Sequence, residues 1–287
     1  MKKVAIIGNS TDKFSELKKQ LESGGLVLVT LIAIADLALL IDGDDTKIYD
    51  YQNKQDLAEF DKILVLSSTP RHARNYILSA VACYARQRGV TMYDDNFSNL
   101  DGKLYAMWRF WEKGVRVPKT AFGPVEFLQE TLAAWGAGVF KAVNGTKGKD
   151  NYLVKSVSEL AEIVQSNPDL DFILQEFVPN DGDLRIVTID YKPKLAILRQ
   201  GGADHRNNTS LGGTADLLDL AEVEPAAIEL ATAAAAALEI KLAGADVMKH
   251  HTTGEYYVLE VNRTPQLATG AYTAEKAAVL KELALKD

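Results

Sequence analysis

Residues 243–265 read AGADVMKHHTTGEYYVLEVNRTP, and this stretch decides how the rest of the chain is interpreted. Two apolar runs flank a polar turn centred near Thr253, so the pattern predicts a β-hairpin. Asp246 lies on the first run, whereas Glu260 and Asn262 lie two residues apart on the second. Side chains two apart on a strand share a face, and antiparallel pairing would place Asp246 roughly opposite Glu260.

Three oxygen-bearing side chains on one face suit a hard cation. Magnesium is usually held by one or two carboxylates together with substrate phosphates, so the hairpin predicts a metal–nucleotide site. The solvated face of an ordinary hairpin also alternates polar and apolar residues. The hairpin alone leaves both interpretations open.

Composition restricts the class of protein. The 287 residues are 47% hydrophobic and 25% charged, as in globular proteins with two domains or one large α/β unit. A net charge of -7 argues against nucleic acid or an anionic membrane as a partner. The single cysteine, Cys83, cannot form an internal disulfide, so we expect a cytoplasmic protein with Cys83 packed in its core.

The first part of the chain alternates apolar strands with amphipathic helices. Strands are predicted at residues 4–7, 26–34 and 63–66, and helices at 12–22 and 71–88. This alternation predicts an α/β domain with a parallel sheet over residues 1–98, ending in the polar segment 94–99. Residues 99–287 mix helices with hairpins and are expected to form an α+β domain.

Lys141 lies in an apolar strand just before residues 144–151, which read NGTKGKDN. A lysine there can reach phosphate oxygens from the floor of a site while loop N–H groups close over them. The spacing differs from the Walker pattern, and taken alone the loop fits a plain surface turn better than a phosphate cover.

Two further segments suit a nucleotide. The strand that ends at Gln175, Glu176, Phe177 and Val178 would offer backbone groups to an adenine edge, with Asp183 at the ribose. The alternative is an ordinary strand exit. Residues 199–213 form a polar, glycine-rich loop in which arginines would clamp a γ-phosphate and the charge developed during its transfer.

These segments together resemble the ATP-grasp superfamily, and within it the RimK-like carboxylate–amine ligases of the glutamate type. The resemblance covers roughly residues 99–265. The pieces that carry it, in order, are DGK at 101–103, GVRVPKT at 114–120, FKAV at 140–143, QEFV at 175–178, DLR at 183–185, RNN at 206–208 with GG at 212–213, GAD at 244–246 and LEVN at 259–262.

The resemblance implies a pre-ATP-grasp domain at residues 1–98 and a two-lobed ATP-grasp domain with lobes at about 99–175 and 176–287. It also implies roles for individual residues. Lys103 and Lys141 would bind ATP phosphates, the 175–178 strand exit would line the adenine, and Asp183 would contact the ribose. The residues expected at the γ-phosphate and the acyl intermediate are Arg199, Arg206, Asn207 and Asn208, and those expected to hold two Mg²⁺ or Mn²⁺ ions are Asp246, Glu260 and Asn262.

The implied reaction activates a carboxylate as an acyl phosphate, which an amine then attacks with release of ADP and phosphate. The amine would belong to an amino acid, a peptide or a protein tail, and the family often forms homo-oligomers. Two other functions stay open: an ATP-grasp kinase of a small molecule, and a nucleotide-binding module without catalysis.

The chain departs from the family pattern in two places. Asp150 stands where the loop usually has a third glycine, which adds negative charge beside a phosphate cover. Arg263 and Gln266 lie on either side of Pro265, where the family often has small residues and then a glycine after the proline. We expect this second departure to shape the acceptor site.

Overall fold

The computed structural model describes residues 1–42, 45–67, 76–93, 102–143, 150–201 and 213–286. The chain divides into two compact units. Residues 1–98, 240–244 and 262–287 form the first, and residues 99–239 and 245–261 form the second. The predicted division into domains of residues 1–98 and 99–287 remains a prediction. The two lobes predicted within residues 99–287 remain a prediction.

The first unit is built on a parallel sheet. Its elements up to residue 93 are β1 (Lys2–Gly8), α1 (Ser15–Glu22), β2 (Val27–Ala33), β3 (Leu37–Asp42), β4 (Asp45–Asp50), β5 (Gln55–Asp56), β6 (Lys62–Ser67), α2 (Tyr76–Arg88) and β7 (Thr91–Met92). Parallel pairs run in the order β2-β1-β6-β7. Residues 4–7 are fully buried, as a continuous apolar run in a parallel sheet should be.

Two features of this unit differ from expectation. Strands β3, β4 and β5 form a separate antiparallel sheet between residues 37 and 56, where the sequence predicted no strand. The prediction that Cys83 packs in the core is wrong, because its side chain is exposed on α2. The apolar neighbours of Cys83 made the whole segment look buried, but a helix on a sheet buries one face only.

The second unit contains two sheets. Its elements are α3 (Lys103–Glu112), β8 (Thr120–Ala121), α4 (Val125–Trp135), β9 (Gly138–Ala142), β10 (Asn151–Val154), α5 (Val157–Ser166), β11 (Phe172–Glu176), β12 (Asp183–Ile189), β13 (Lys192–Gln200), β14 (Thr214–Leu218), α6 (Pro225–Ala237), β15 (Leu242–Lys249) and β16 (Tyr256–Asn262). The sheet orders are β10-β9-β11-β8 and β14-β13-β12-β15-β16. The mixed α/β architecture predicted from the sequence is confirmed.

Each sheet of the second unit has its own hydrophobic cluster. Phe140 and Phe172 stack at 4.4 Å between centroids in the cluster of the first sheet, which α4 and α5 cover. In the cluster of the second sheet, α6 buries a row of alanines, including Ala227, Ala231 and Ala234. These small side chains let the helix approach the sheet closely, so the strands that carry the polar site residues lie on a firm support.

Strands β15 and β16 are neighbours in the sheet, which confirms the predicted hairpin. The turn is closed by two backbone hydrogen bonds, from His250 N to Glu255 O at 2.8 Å and from Gly254 N to His250 O at 2.9 Å. The expected register of Asp246 against Glu260 remains a prediction.

The chain ends with α7 (Thr273–Leu285), a helix that the sequence analysis did not predict. It packs on α1 and β1 within the first unit. The buried Lys62 of β6 donates from Nζ to the carbonyl oxygens of Leu283 (2.9 Å) and Lys286, so it caps the end of this helix. None of the helices in the described ranges has both the length and the apolar character needed to cross a membrane.

Candidate active site

Two lysines form the first part of the candidate site. Lys103 is the first residue of α3, and its Nζ donates to the carbonyl oxygen of Ala142 at 2.6 Å. Ala142 follows Lys141 at the end of β9, so the hydrogen bond brings the two lysines together. Burial lowers the pKa of Lys103 below its ordinary value, while Glu260 and Asp150 counteract this shift. Both lysines were expected to bind ATP phosphates, and in the structure they lie close to each other.

Lys141 is held by a buried amide. Its Nζ donates to Gln175 Oε1 at 2.8 Å, and Gln175 Nε2 in turn donates to Thr120 Oγ1 at 3.0 Å and to Met107 Sδ at 3.4 Å. Burial lowers the pKa of Lys141 to about 8, against the raising effect of Glu260, and nearby Lys103 lowers it further. Lys141 is therefore mostly protonated at neutral pH, and a rise of about one pH unit is enough to remove its proton from half of the molecules.

This arrangement gives Gln175 a role that the sequence did not suggest. Its side chain is only 2% exposed and orients Lys141 from behind. The prediction that residues 175–178 line an adenine concerned the backbone of the strand exit, and it remains a prediction. Thr120 and Met107 were not singled out from the sequence, because their contacts depend on β8 and α3 lying beside β11.

The strand exit itself is fixed by charge and backbone contacts. Glu176 pairs with Lys119 three times: its N donates to Lys119 O (2.9 Å), its Oε1 accepts from Lys119 N (3.0 Å) and its carboxylate contacts Lys119 Nζ (3.0 Å). Phe177 N donates to Ala137 O at 3.4 Å, and Val178 is buried. The segment is therefore held at a defined position relative to β9.

A network of two arginines and two aspartates lies on neighbouring strands of the second sheet. Asp183 faces Arg199 in the β12–β13 ladder and accepts from its Nε at 3.2 Å and also from its Nη2. Arg199 Nη2 also contacts Asp246 Oδ2 at 2.9 Å. Arg185 donates to both oxygens of Asp246, from Nε to Oδ1 and from Nη2 to Oδ2 at 2.9 Å. Gly182 allows the backbone before Asp183 to lie close to the backbone of Arg199, because a Cβ at residue 182 would lie 2.6 Å from the Arg199 carbonyl oxygen.

Burial and mutual charge perturb the ionisation of this network. Burial raises the pKa of Asp183 to about 6, with a further contribution from Asp246, and Arg199 offsets part of the shift. Burial alone would raise the pKa of Asp246 too, but the guanidinium groups of Arg185 and Arg199 hold it below its usual value. Arg185 was part of the DLR motif quoted from the sequence, yet its partner could not be read from the sequence.

Asp246 and Glu260 are carboxylates that act electrostatically on the lysines. Both raise the pKa of Lys141, and Glu260 also raises that of Lys103. Glu260 is exposed on β16, and Asn262 ends the same strand two residues later. Basic and acidic groups that suit phosphates and a cation are therefore close together.

The predicted metal ligands fit a cation in part. In the described part of the chain, no three or more His, Cys, Asp or Glu side chains are grouped so that they could hold a metal ion. Within the described residues, Asp246 accepts three guanidinium contacts, and a carboxylate has about four lone-pair positions, so these contacts leave one position on Oδ1 for a cation. The donors of the second unit that fit a hard cation are thus two carboxylate oxygens, and the assignment of Asn262 remains a prediction.

Some predicted residues lie outside the described residues. Arg206, Asn207 and Asn208 fall in the range 202–212, and most of the glycine-rich loop falls in 144–149. Their assignments remain predictions.

Both departures from the family pattern can be located. Asp150 and Gln266 adopt left-handed backbone conformations, with φ of 53° and 55°. Glycine adopts this conformation at little cost, whereas other residues are disfavoured in it. Asp150 also acts electrostatically on Lys103. The left-handed geometry is compatible with the glycine that the resemblance implies at these two positions.

Comparisons with known proteins point to one family. A family model described as a RimK-like ATP-grasp domain matches residues 114–283. A probable alpha-L-glutamate ligase of Xanthomonas oryzae pv. oryzae is 33% identical over 173 residues, which cover 58% of this chain and 57% of that protein. The tetrahydromethanopterin:alpha-L-glutamate ligase of Methanosarcina acetivorans is 31% identical over 211 residues, which cover 62% of this chain and 64% of that protein. The matched region therefore spans less than two thirds of each curated relative.

Solved structures share the fold. The ATP-grasp ligase PsnB, complexed with a minimal precursor, Mg and ADP, superposes with a TM-score of 0.75 at 15% identity. The superposition covers 99% of this chain and 96% of that chain.

Proposed function

Since the chain belongs to the RimK-like ATP-grasp family, we propose that it is an ATP-dependent ligase that joins a carboxylate to an amine. The observation that supports this most directly is the cluster of Lys103, Lys141, Glu260 and Asp246. Two ammonium groups can neutralise a polyphosphate, and two carboxylates beside them can hold the cation that accompanies it. The relatives named as glutamate ligases suggest an α-amino acid as one of the substrates.

In the proposed reaction a carboxylate oxygen of the substrate attacks the γ-phosphorus of ATP, and ADP leaves with the bond electrons. The amine then attacks the acyl carbon, an amide bond forms, phosphate leaves and the amine loses a proton. Lys103 and Lys141 would bind the phosphates, and Arg199, with Arg206 and Asn208, would stabilise the charge that develops at the γ-phosphate. Catalysis rests on positioning and charge neutralisation, without a protein nucleophile.

Asp246, Glu260 and Asn262 are the residues that would hold Mg²⁺. When bound, magnesium supplies charge neutralisation and orientation of the phosphate oxygens. Asp183, which is engaged by Arg199, would contact the ribose through an oxygen edge, and residues 175–178 would line the adenine.

The test is a substrate screen. The protein is incubated with ATP, Mg²⁺, L-glutamate as the amine and a panel of carboxylic acids and peptides, and release of ADP and phosphate is measured. Release that requires both an acid and an amine supports the ligase. ADP formation with a hydroxyl acceptor and no amine would indicate a kinase instead, and ATP binding without turnover under any pair would indicate a binding module.

Variants tie the reaction to the site. Glu260→Ala is expected to abolish Mg²⁺-dependent turnover, and Lys141→Met to weaken ATP binding measured by calorimetry. Lys155→Met is the matched control, because Lys155 is an exposed lysine on the same part of the second unit. Full turnover by Glu260→Ala would refute the metal assignment.

A further inference from the structure

Arg185 makes an unusually complete contact with the carboxylate of Asp246. Its guanidinium donates to both oxygens, in the bidentate geometry that fixes a carboxylate most firmly. The side chains of Arg185 and Asp246 are 13% and 6% exposed, so water does little to screen the pair. Arg199 adds a third contact to Oδ2.

The two arginines are not equivalent. Arg199 is also held by Asp183, through contacts to both oxygens of that carboxylate. Among the described residues, Asp246 is the carboxylate that pairs with Arg185. Arg185 can therefore leave Asp246 without breaking a contact of the Asp183–Arg199 pair, whereas Arg199 cannot move without breaking its contacts to both aspartates.

Charge makes the position of Arg185 matter for a cation. Asp246 and Asp183 carry two negative charges that Arg185 and Arg199 balance. A divalent cation at Asp246 would share one carboxylate with two guanidinium groups, and like charges at such distances repel strongly in a partly buried site. The cation and Arg185 therefore oppose each other at Asp246.

We infer that Arg185 is a positioning residue that competes with the divalent cation for the carboxylate of Asp246. As long as Arg185 occupies that carboxylate, the affinity of the site for the metal is lowered. This inference rests on the proposed function, because it takes Asp246 and Glu260 as metal ligands. It gives Arg185 a second state, in which its guanidinium faces away from Asp246 and is free to meet an anionic substrate group.

The experiment measures binding of Mn²⁺ alone by the loss of the free-ion signal in electron paramagnetic resonance. Arg185→Gln removes the competing charge, and we expect it to bind Mn²⁺ about tenfold more tightly than the wild type. Arg109→Gln is the matched control: it removes one positive charge from α3, where Arg109 pairs with Glu112, and should leave the affinity unchanged. A folding defect would weaken binding, so tighter binding cannot come from structural damage.

A second variant protects the test against misfolding. Arg185→Lys keeps the charge and loses the bidentate fork, so its Mn²⁺ affinity should lie between those of the wild type and Arg185→Gln. Unchanged or weaker Mn²⁺ binding by folded Arg185→Gln and Arg185→Lys would overturn the inference and leave the proposed function standing. Wild-type Mn²⁺ binding that Glu260→Gln does not alter would overturn the metal assignment and the inference with it.

Discussion

ATP binding should be coupled to proton uptake by Lys141. In the free protein the pKa of Lys141 is lowered to about 8, because the ammonium is buried and lies near Lys103, although Glu260 and Asp246 partly compensate. A bound polyphosphate favours the charged form and would return the pKa towards its ordinary value of 10.5. Each molecule with a neutral Lys141 must then take up a proton when ATP binds.

The magnitude follows from the two pKa values. At pH 8 about half of the free molecules lack the proton, so binding should take up about 0.5 proton, rising to about 0.8 at pH 9 and falling to about 0.1 at pH 7. A shift from about 8 to about 10 corresponds to roughly 2.7 kcal/mol. The affinity for ATP should be highest below pH 8 and should fall towards about tenfold per pH unit above it.

Isothermal titration calorimetry measures the uptake directly. ATP is titrated at pH 8 in three buffers that differ in ionisation enthalpy, and the slope of the observed enthalpy against that ionisation enthalpy gives the number of protons. Lys141→Arg is the matched control, since arginine keeps the charge and does not titrate in this range. The protons taken up or released by ATP itself are common to both proteins. An equal slope for the wild type and Lys141→Arg would refute the assignment of Lys141 to the phosphates.

Three further predictions follow from single residues. Asp150→Asn removes a negative charge that acts on Lys103 and keeps a residue type that tolerates the left-handed conformation, so ATP should bind about threefold more tightly by calorimetry; weaker binding would contradict this. Gln266→Gly should raise the free energy of unfolding, measured in urea, by about 1 kcal/mol, because Gln266 has a left-handed backbone. The control Ala278→Gly, at an exposed helical position of α7, should lower it by about 1 kcal/mol. A loss of stability in both variants would refute the role of the backbone conformation. Lys62→Met should lower the free energy of unfolding by about 2–4 kcal/mol, because two carbonyls at the end of α7 lose a charged donor. The control Lys19→Met removes an exposed ion pair and should change the free energy of unfolding by less than about 0.5 kcal/mol. Equal effects of the two substitutions would contradict the capping role of Lys62.

Local patterns were sufficient to predict the main elements. Buried apolar runs such as residues 4–7 identified the parallel strands, and the alternation of the hairpin identified β15 and β16. The helix α7 was missed because its buried side includes Lys276 alongside Val279 and Leu280, so its apolar stripe is broken by a charge. Strands β3 to β5 were missed because short antiparallel strands have weak periodicity.

The candidate site was predicted as a set of residues but not as a set of contacts. Lys141, Asp246 and Glu260 could be found, because charged residues in apolar strands are conspicuous. The Arg185–Asp246 pair could not, because it depends on β12 lying beside β15, two strands that are far apart along the chain. The same holds for Gln175, whose contact with Lys141 depends on β11 pairing with β9. Sheet order, which is a long-range property, separates the list of residues from the network.

The structure adds the backbone conformation at the two departures from the family pattern, Asp150 and Gln266. From the sequence, Asp150 was expected to add negative charge beside a phosphate cover, and Gln266 was expected to help shape the acceptor site. Both have positive φ, a conformation that glycine adopts at little cost. It costs Gln266 roughly 1–2 kcal/mol and Asp150 less, because aspartate tolerates it better than most residues. Asp150 acts on Lys103, a proposed phosphate ligand, and so the same substitution that strains the backbone also sets the charge that the phosphates would meet.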